Sequence, residues 1–220
     1  MPRLLAFDVN ETIIDLSGLD PLFERAFGEA ALRAQWFAQM LQLAWVTRIT
    51  GGYVDFTTAQ HAALEMLAAR TGRDLSPQQR EEIVGGMRSL PAHPDVAPAL
   101  DRLRAGGFTL CALTNSPLDV VTSQLGNAGI ADRFEAILSA DQVGVVKPAR
   151  EPYELVARTF DVPIGEVRLI AAHAWDCAGA LAAGAAAAFV ARPGMVQSPL
   201  GEQPDIVGGD LGDVASLILA

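Results

Sequence analysis

The sequence predicts an α/β protein: a doubly wound, parallel, Rossmann-like sheet with an α-helical cap inserted after the first strand. Three observations carry this. Short apolar runs bounded by turn residues recur along the chain, as strands covered on both faces do. Helical stretches alternate with those runs in the second half, and strand–helix alternation implies right-handed crossovers and a parallel sheet. From about Ile14 to Ser89 the alternation stops and every stretch reads as helix.

Leu4-Leu5-Ala6-Phe7 is the first strand, and it ends abruptly in Asp8, Asn10, Glu11 and Thr12. Asp20 to Gln35 is helix-like. Trp36 to Thr50 continues with Trp36, Met40, Leu43 and Val46 at helical spacing until Gly51-Gly52 stops it. Thr57 to Thr71 forms the next helix. Ser76 to Ser89 follows, opened by Ser76-Pro77. A linker, Pro91 to Asp95, leads to a helix over Val96 to Arg104. Then come a strand Phe108 to Thr114, a helix Pro117 to Ala128 and a strand Ala136 to Ser139. The chain closes with a helix Glu151 to Phe160, a strand Arg168 to Ala172, a helix Trp175 to Ala183 and a strand Ala186 to Val190. Asp205 to Val207 adds an edge strand, and Asp213 to Leu219 a last helix. The expected division is a core of residues 1–14 and 90–220 and a cap of residues 15–89. A cap inserted there hangs over the first strand's carboxyl end, where it can close on substrate and exclude water.

With 220 residues and 50% hydrophobic content the chain can bury one sizeable core and a smaller appendage. A net charge of −10 argues against nucleic acid or an anionic membrane as partner, but not against a small anionic substrate met by a local positive site. The Ala/Gly-rich run Cys177 to Ala191 falls short of the roughly 18 residues a membrane span needs. Met1-Pro2-Arg3 opens directly into a strand, which predicts no signal peptide. Cys111 and Cys177 are too few for a disulfide scaffold or zinc site, and Cys111 reads as a buried free thiol in a reducing cytoplasm.

Parallel sheets place ligands at the carboxyl ends of their strands, so polar residues at successive strand ends converge. The first end supplies Asp8, Asn10, Glu11 and Thr12, and the second Thr114-Asn115-Ser116. Lys147-Pro148 follows the third, and the fourth supplies His173 and Asp176. Each has a plainer alternative: Thr114, Asn115 or Ser116 can cap the next helix, and so can His173 or Asp176, while Lys147 can be a solvated lysine. Their joint occurrence favours one site.

Asp8-x-Asn10-x-Thr12, Cys111-Ala112-Leu113-Thr114-Asn115, Lys147-Pro148 and Asp176 resemble the four motifs of the haloacid dehalogenase superfamily. Within it, Trp36 to Phe56, the stretch Ala174-Trp175-Asp176-Cys177-Ala178-Gly179-Ala180, and Lys147-Pro148 followed by Tyr153-Glu154-Leu155 are similar to the L-2-haloacid dehalogenases. The resemblance implies that Asp8 is a nucleophile that attacks the α-carbon of a 2-haloacid. The resulting ester would be hydrolysed to a 2-hydroxy acid, with no cofactor and no metal. It implies that Lys147 keeps Asp8 ionised and that Thr12 hydrogen-bonds it. Asn10 would contact substrate, Thr114 and Asn115 would receive its carboxylate or an ester oxyanion, and Asp176 would pair with Lys147 or position water. Asn10 stands where the superfamily's phosphatases have a second aspartate that protonates the leaving group. Halide needs no such proton, so Asn10 favours dehalogenation over the alternative, a magnesium-dependent phosphatase. A non-catalytic binding protein on this scaffold is a third reading, disfavoured by the retained Asp8, Thr12, Lys147 and Asp176. Relatives are commonly dimeric, and apolar cap helices would suit a homodimer interface.

Two departures from the family pattern matter. A cap-helix arginine usually receives the halide, and the aligned position here is Phe37. Arg33 and Arg48 are expected in other helical registers, which leaves an aromatic edge or an amide such as Gln39 for the halide. His173 and Ala171 replace a family asparagine and serine that position water, and Glu11 replaces a common glycine. These changes point to a dyad in which Glu11 orients His173 and His173 activates water. Phe37, Trp45, Tyr53, Tyr153 and Trp175 are candidates to line an apolar pocket. His61 is expected at the surface, and His93 is expected to be structural.

Overall fold

The structure is a computed structural model that describes residues 2–220. Its strands are β1 (Leu4–Phe7), β2 (Thr109–Thr114), β3 (Ala136–Ser139), β4 (Val167–Ala171), β5 (Ala186–Val190) and β6 (Ile206–Gly208). All pair in parallel, in the order β3-β2-β1-β4-β5-β6. From β1 the chain first builds outward through β2 and β3, then crosses back to β4 on the other side. That reversal beside β1 is where open α/β sheets hold ligands.

Residues alternate across the sheet because successive side chains of a strand point to opposite faces. Leu5 and Phe7 join one apolar cluster, Leu4 and Ala6 the other. The first face is covered by α5 (Val96–Ala105), α6 (Leu118–Asn127) and α9 (Leu211–Leu219), through residues such as Leu100, Val121 and Val214. The second is covered by α7 (Arg150–Thr159) and α8 (Ala174–Ala183), through Tyr153, Val156 and Ala180.

Between β1 and α5 lie α1 (Asp20–Phe27), α2 (Leu32–Ile49), α3 (Phe56–Thr71) and α4 (Pro77–Gly86). Their apolar residues, among them Phe23, Trp36, Met40, Leu64 and Ile83, belong to the same continuous cluster as Leu5 and Phe7. The expected helix over Asp20 to Gln35 is broken. Gly28 caps α1 in the left-handed conformation (φ +79°), its N–H donating to Glu24 O at 2.8 Å, and α2 starts afresh at Leu32. Glycine takes this conformation without the steric cost a side chain brings. α4 opens with a reciprocal capping box between Ser76 and Gln79, which satisfies two backbone donors. No helix among the described residues is long and apolar enough to cross a membrane.

Candidate active site

Asp8 follows β1 directly, and its N–H donates to Ile170 O at 3.0 Å, so the β1–β4 pairing fixes its backbone. The chain then turns sharply. Ile13 and Ile14 N–H groups both reach Val9 O, at 3.0 and 2.9 Å, and Glu11 takes φ +61°. That conformation costs a non-glycine residue roughly 1–2 kcal/mol. It aims the Glu11 carboxylate back over the strand ends.

There the structure brings together all six residues expected to be catalytic. Lys147 Nζ donates to Asp8 Oδ1 at 2.9 Å, to Asp176 Oδ2 at 2.6 Å and to Leu113 O at 3.0 Å. Thr12 Oγ1 donates to Asp8 Oδ2 at 2.6 Å and accepts from Ala172 N–H at 2.9 Å, tying the β1 turn to the end of β4. His173 Nδ1 lies 3.0 Å from Asp8 Oδ2, and Nε2 lies 3.0 Å from Glu11 Oε2. Asp8, Thr12, Lys147, His173 and Asp176 are all buried.

The electrostatics follow from that burial. Burial alone would raise the Asp8 carboxyl. Lys147, with His173 and Thr12, outweighs it and holds Asp8 well below the usual carboxylate range. Burial would lower Lys147, but Asp176 and Asp8 raise it, so it stays charged. Asp176 moves up, chiefly by burial and against the pull of Lys147. Burial would lower His173 too, yet its hydrogen bonds to Asp8 and Glu11 raise it to about 9. Among the described residues, no three His, Cys, Asp or Glu side chains are grouped to hold a metal ion.

Several residues expected to contact substrate sit differently. Asn10 donates to Ser116 Oγ at 3.0 Å and accepts from Gln124 Nε2 at 3.0 Å, so its amide bridges the β1 turn to α6. Asn115 accepts from Lys147 N–H at 2.7 Å and donates to Lys147 O at 3.3 Å; it fixes the lysine loop. Thr114 Oγ1 accepts from Ser116 N–H at 3.1 Å. Tyr153 donates to Asp176 Oδ1 at 2.6 Å from within the opposite apolar cluster, apart from the other aromatic rings. Tyr53 is at the surface, bonded to Asp141.

Phe37, Trp45 and Trp175 do meet at the site. The Phe37 ring stacks on His173 at 5.7 Å, Trp175 lies 5.1 Å from His173, and Trp45 packs edge-on to Trp175 at 5.4 Å. Trp45 Nε1 also donates to Lys147 O at 3.0 Å, linking α2 to the lysine loop. Gln39 points elsewhere, bonded to Gln42 and Arg70, so it is not placed for a halide.

Arg33 corrects the sequence expectation. It lies one helical turn before Phe37, and residues four apart share a helix face. Its guanidinium donates to Glu11 Oε1 at 3.0 Å and Asp20 Oδ1 at 2.6 Å, so it braces the turn that carries Glu11. Its i, i+4 spacing from Phe37 was the available signal. Arg192 had no comparable one. Its guanidinium donates twice to Thr12 O, at 3.1 and 3.0 Å, and pairs with Asp95 at 2.8 Å.

A buried, ionised aspartate after the first strand of a doubly wound sheet, bridged by lysine to a second aspartate, forms the centre of a hydrolase-type site. The chain belongs to the haloacid dehalogenase-like hydrolases, whose family model matches residues 2–184. It is 29% identical over 218 residues to (S)-2-haloacid dehalogenase 2 of Pseudomonas sp. (strain CBS-3), covering 98% of this chain and 95% of that one. It is 26% identical to haloacetate dehalogenase H-2 of Moraxella sp. (strain B), covering 91% of each chain. Among solved structures, the L-2-haloacid dehalogenase of Xanthobacter autotrophicus with chloropropionic acid covalently bound superimposes with a TM-score of 0.92. That pair is 26% identical, covering 99% of this chain and 98% of that one.

Proposed function

We propose that this protein hydrolyses short 2-haloacids to 2-hydroxy acids through an ester on Asp8. Asp8, kept anionic by Lys147, attacks the α-carbon from the side opposite the halogen and releases halide. Water then attacks the ester at the Asp8 carboxyl carbon and frees the hydroxy acid. His173 takes the proton from that water. Glu11, on the other ring nitrogen, fixes the tautomer and orientation of the imidazole. Asp176 and Lys147 hold the Asp8 carboxyl in place. Phe37, Trp45 and Trp175 form the apolar side that receives a short alkyl chain, and residues 15–89 act as a cap that opens to admit it.

One observation carries the choice of reaction. Asn10 occupies the position from which a leaving group would be protonated, and its amide is held between Ser116 and Gln124. An amide supplies no acid proton, so Asn10 cannot serve a leaving group that needs one there, and halide needs none. Phe37 stands where the family has its halide-binding arginine, and the nearby Arg33 is engaged with Glu11 and Asp20. The buried thiols Cys111 and Cys177 suit a reducing cytoplasm. A homodimer is open to light scattering.

The test is a panel of chloro-, bromo- and fluoro-acids assayed for halide release in a metal chelator. Release from wild type and its loss by at least about 10³-fold in Asp8→Ala are expected. Halide release that survives in Asp8→Ala, or that requires magnesium, overturns the proposal. Heavy oxygen from labelled water should enter the Asp8 side chain during turnover.

A further inference from the structure

His173 is held between two carboxylates, Asp8 at 3.0 Å on Nδ1 and Glu11 at 3.0 Å on Nε2. An ionised carboxylate accepts hydrogen bonds and donates none. Both contacts are hydrogen bonds only when both ring nitrogens carry protons, so the imidazole of the resting enzyme is a cation. A cationic imidazole has no lone pair with which to take a proton from water. The residue placed to activate water is therefore blocked until something removes a proton from it.

We propose that forming the Asp8 ester is itself the event that turns His173 into a base. Alkylation converts the anion facing Nδ1 into a neutral ester. With that charge gone, burial favours the neutral ring, and the Nδ1 proton leaves to solvent. Glu11 still accepts from Nε2–H, so the neutral tautomer is fixed with its lone pair on Nδ1, facing the ester. The other charges around the ring do not change with this step. Lys147 loses the Asp8 anion, 2.9 Å away in the resting site, but keeps Asp176 at 2.6 Å as its partner, and Arg33 lies 3.0 Å from Glu11. Phe37 and Trp175, stacked and tilted against the ring, carry no charge. On the Nε2 side, Glu11 borders a cavity of about 310 Å³ lined also by Asp15, Arg33, His93 and Arg192, and its side chain keeps 12% of its exposure, so the anion that holds Nε2–H stays partly solvated through the step.

The step balances. The haloacid and the Asp8 anion give ester and halide, and His173 then releases one proton to bulk water. In hydrolysis one proton of the attacking water returns to Nδ1. The other leaves with the hydroxy acid, and Asp8 is again an anion beside an imidazolium. The net proton of the overall reaction thus appears with ester formation, not with hydrolysis. A base that is free from the start would release it with hydrolysis.

This inference rests on the dehalogenase reading, and two measurements separate the fates of the two. In the first, excess enzyme is mixed rapidly with (S)-2-chloropropionate in weak buffer containing a pH indicator. One proton per chloride, released before the hydroxy acid forms, is expected; a proton released together with the hydroxy acid overturns the switch. Absence of chloride release overturns the dehalogenase reading instead. The second needs no substrate. Nitrogen NMR of labelled histidine compares wild type with Asp8→Asn, whose neutral side chain mimics the ester. Spectra of His173→Gln subtract His61 and His93. The His173 titration is expected to fall by at least about one pH unit in Asp8→Asn. An unchanged titration overturns the switch. Asp8→Ala repeats the comparison should the asparagine variant fail to fold.

Discussion

Glu11 pays for its position with a left-handed backbone and obtains contacts on both sides of its carboxylate, His173 at 3.0 Å and Arg33 at 3.0 Å. Such conformations persist where surrounding structure over-determines them, often at functional sites. If Glu11 orients the imidazole, Glu11→Gln should slow ester hydrolysis on the order of 10-fold or more while leaving the first halide burst intact. His173→Asn should go further. Loss of a general base costs about 10²–10⁴-fold. One equivalent of halide should still appear, and intact-protein mass spectrometry should show the ester accumulating on Asp8. Full turnover in His173→Asn, with no ester detected, would remove the imidazole from the mechanism.

At the scale of elements, the site depends on how closely α8 approaches the lysine loop and how α2 reaches the β1 turn. Gly179 on α8 faces Pro148 and Tyr153. A Cβ there would stand 2.5 Å from Pro148 Cβ and 2.5 Å from the Tyr153 hydroxyl. Since Pro148 adjoins Lys147 and Tyr153 holds Asp176, Gly179→Ala should both destabilise the fold and displace the Asp8–Lys147–Asp176 triad. The expected cost is about 1–3 kcal/mol by overpacking, measurable as a lower urea midpoint at unchanged slope. Arg33 on α2 acts through Glu11. Arg33→Met should depress hydrolysis about 10-fold and leave halide formation unaffected, and Arg33→Lys should restore part of the loss. Equal loss in both steps would mean that Arg33 only supports the helix.

At the scale of the whole molecule, buried charge sets a pH window for stability. The Asp8 carboxyl is lowered in the fold, and so is Asp95, where burial is outweighed by its Arg192 and Leu211 bonds. Their contributions are present above the unfolded carboxylate value and are lost as pH falls through the lower folded values. His173 is raised to about 9 from 6.5. Its contribution is complete below 6.5 and is lost as pH rises through about 9. Thermal midpoints of the substrate-free protein should therefore fall between neutral pH and pH 10, and His173→Asn should flatten that alkaline decline. Lys147→Met leaves two buried carboxylates without their shared cation. Removing one partner of a buried ion pair costs about 3–5 kcal/mol, so this variant should lose much of its denaturation free energy as well as its activity.

The sequence by itself determined the sheet, its helices and the strand ends that gather at one edge. Those follow from local signals: apolar runs, helical spacing and the polar residues that terminate each run. β1, β3 and β5 fall where the sequence places them, and most other elements differ by a residue or two at their ends. The break at Gly28 was missed because apolar spacing continues across it. Which side chains would meet was not local information. Asn10 and Asn115 read as substrate contacts, yet folding directs their amides to Ser116, Gln124 and the Lys147 backbone. Arg33 reaches Glu11 across 22 positions of sequence, and Arg192 reaches Thr12 across 180. Only the tertiary structure decided these pairings, because a side chain's partner is set by where distant backbone segments are packed, and no spacing within one segment encodes that.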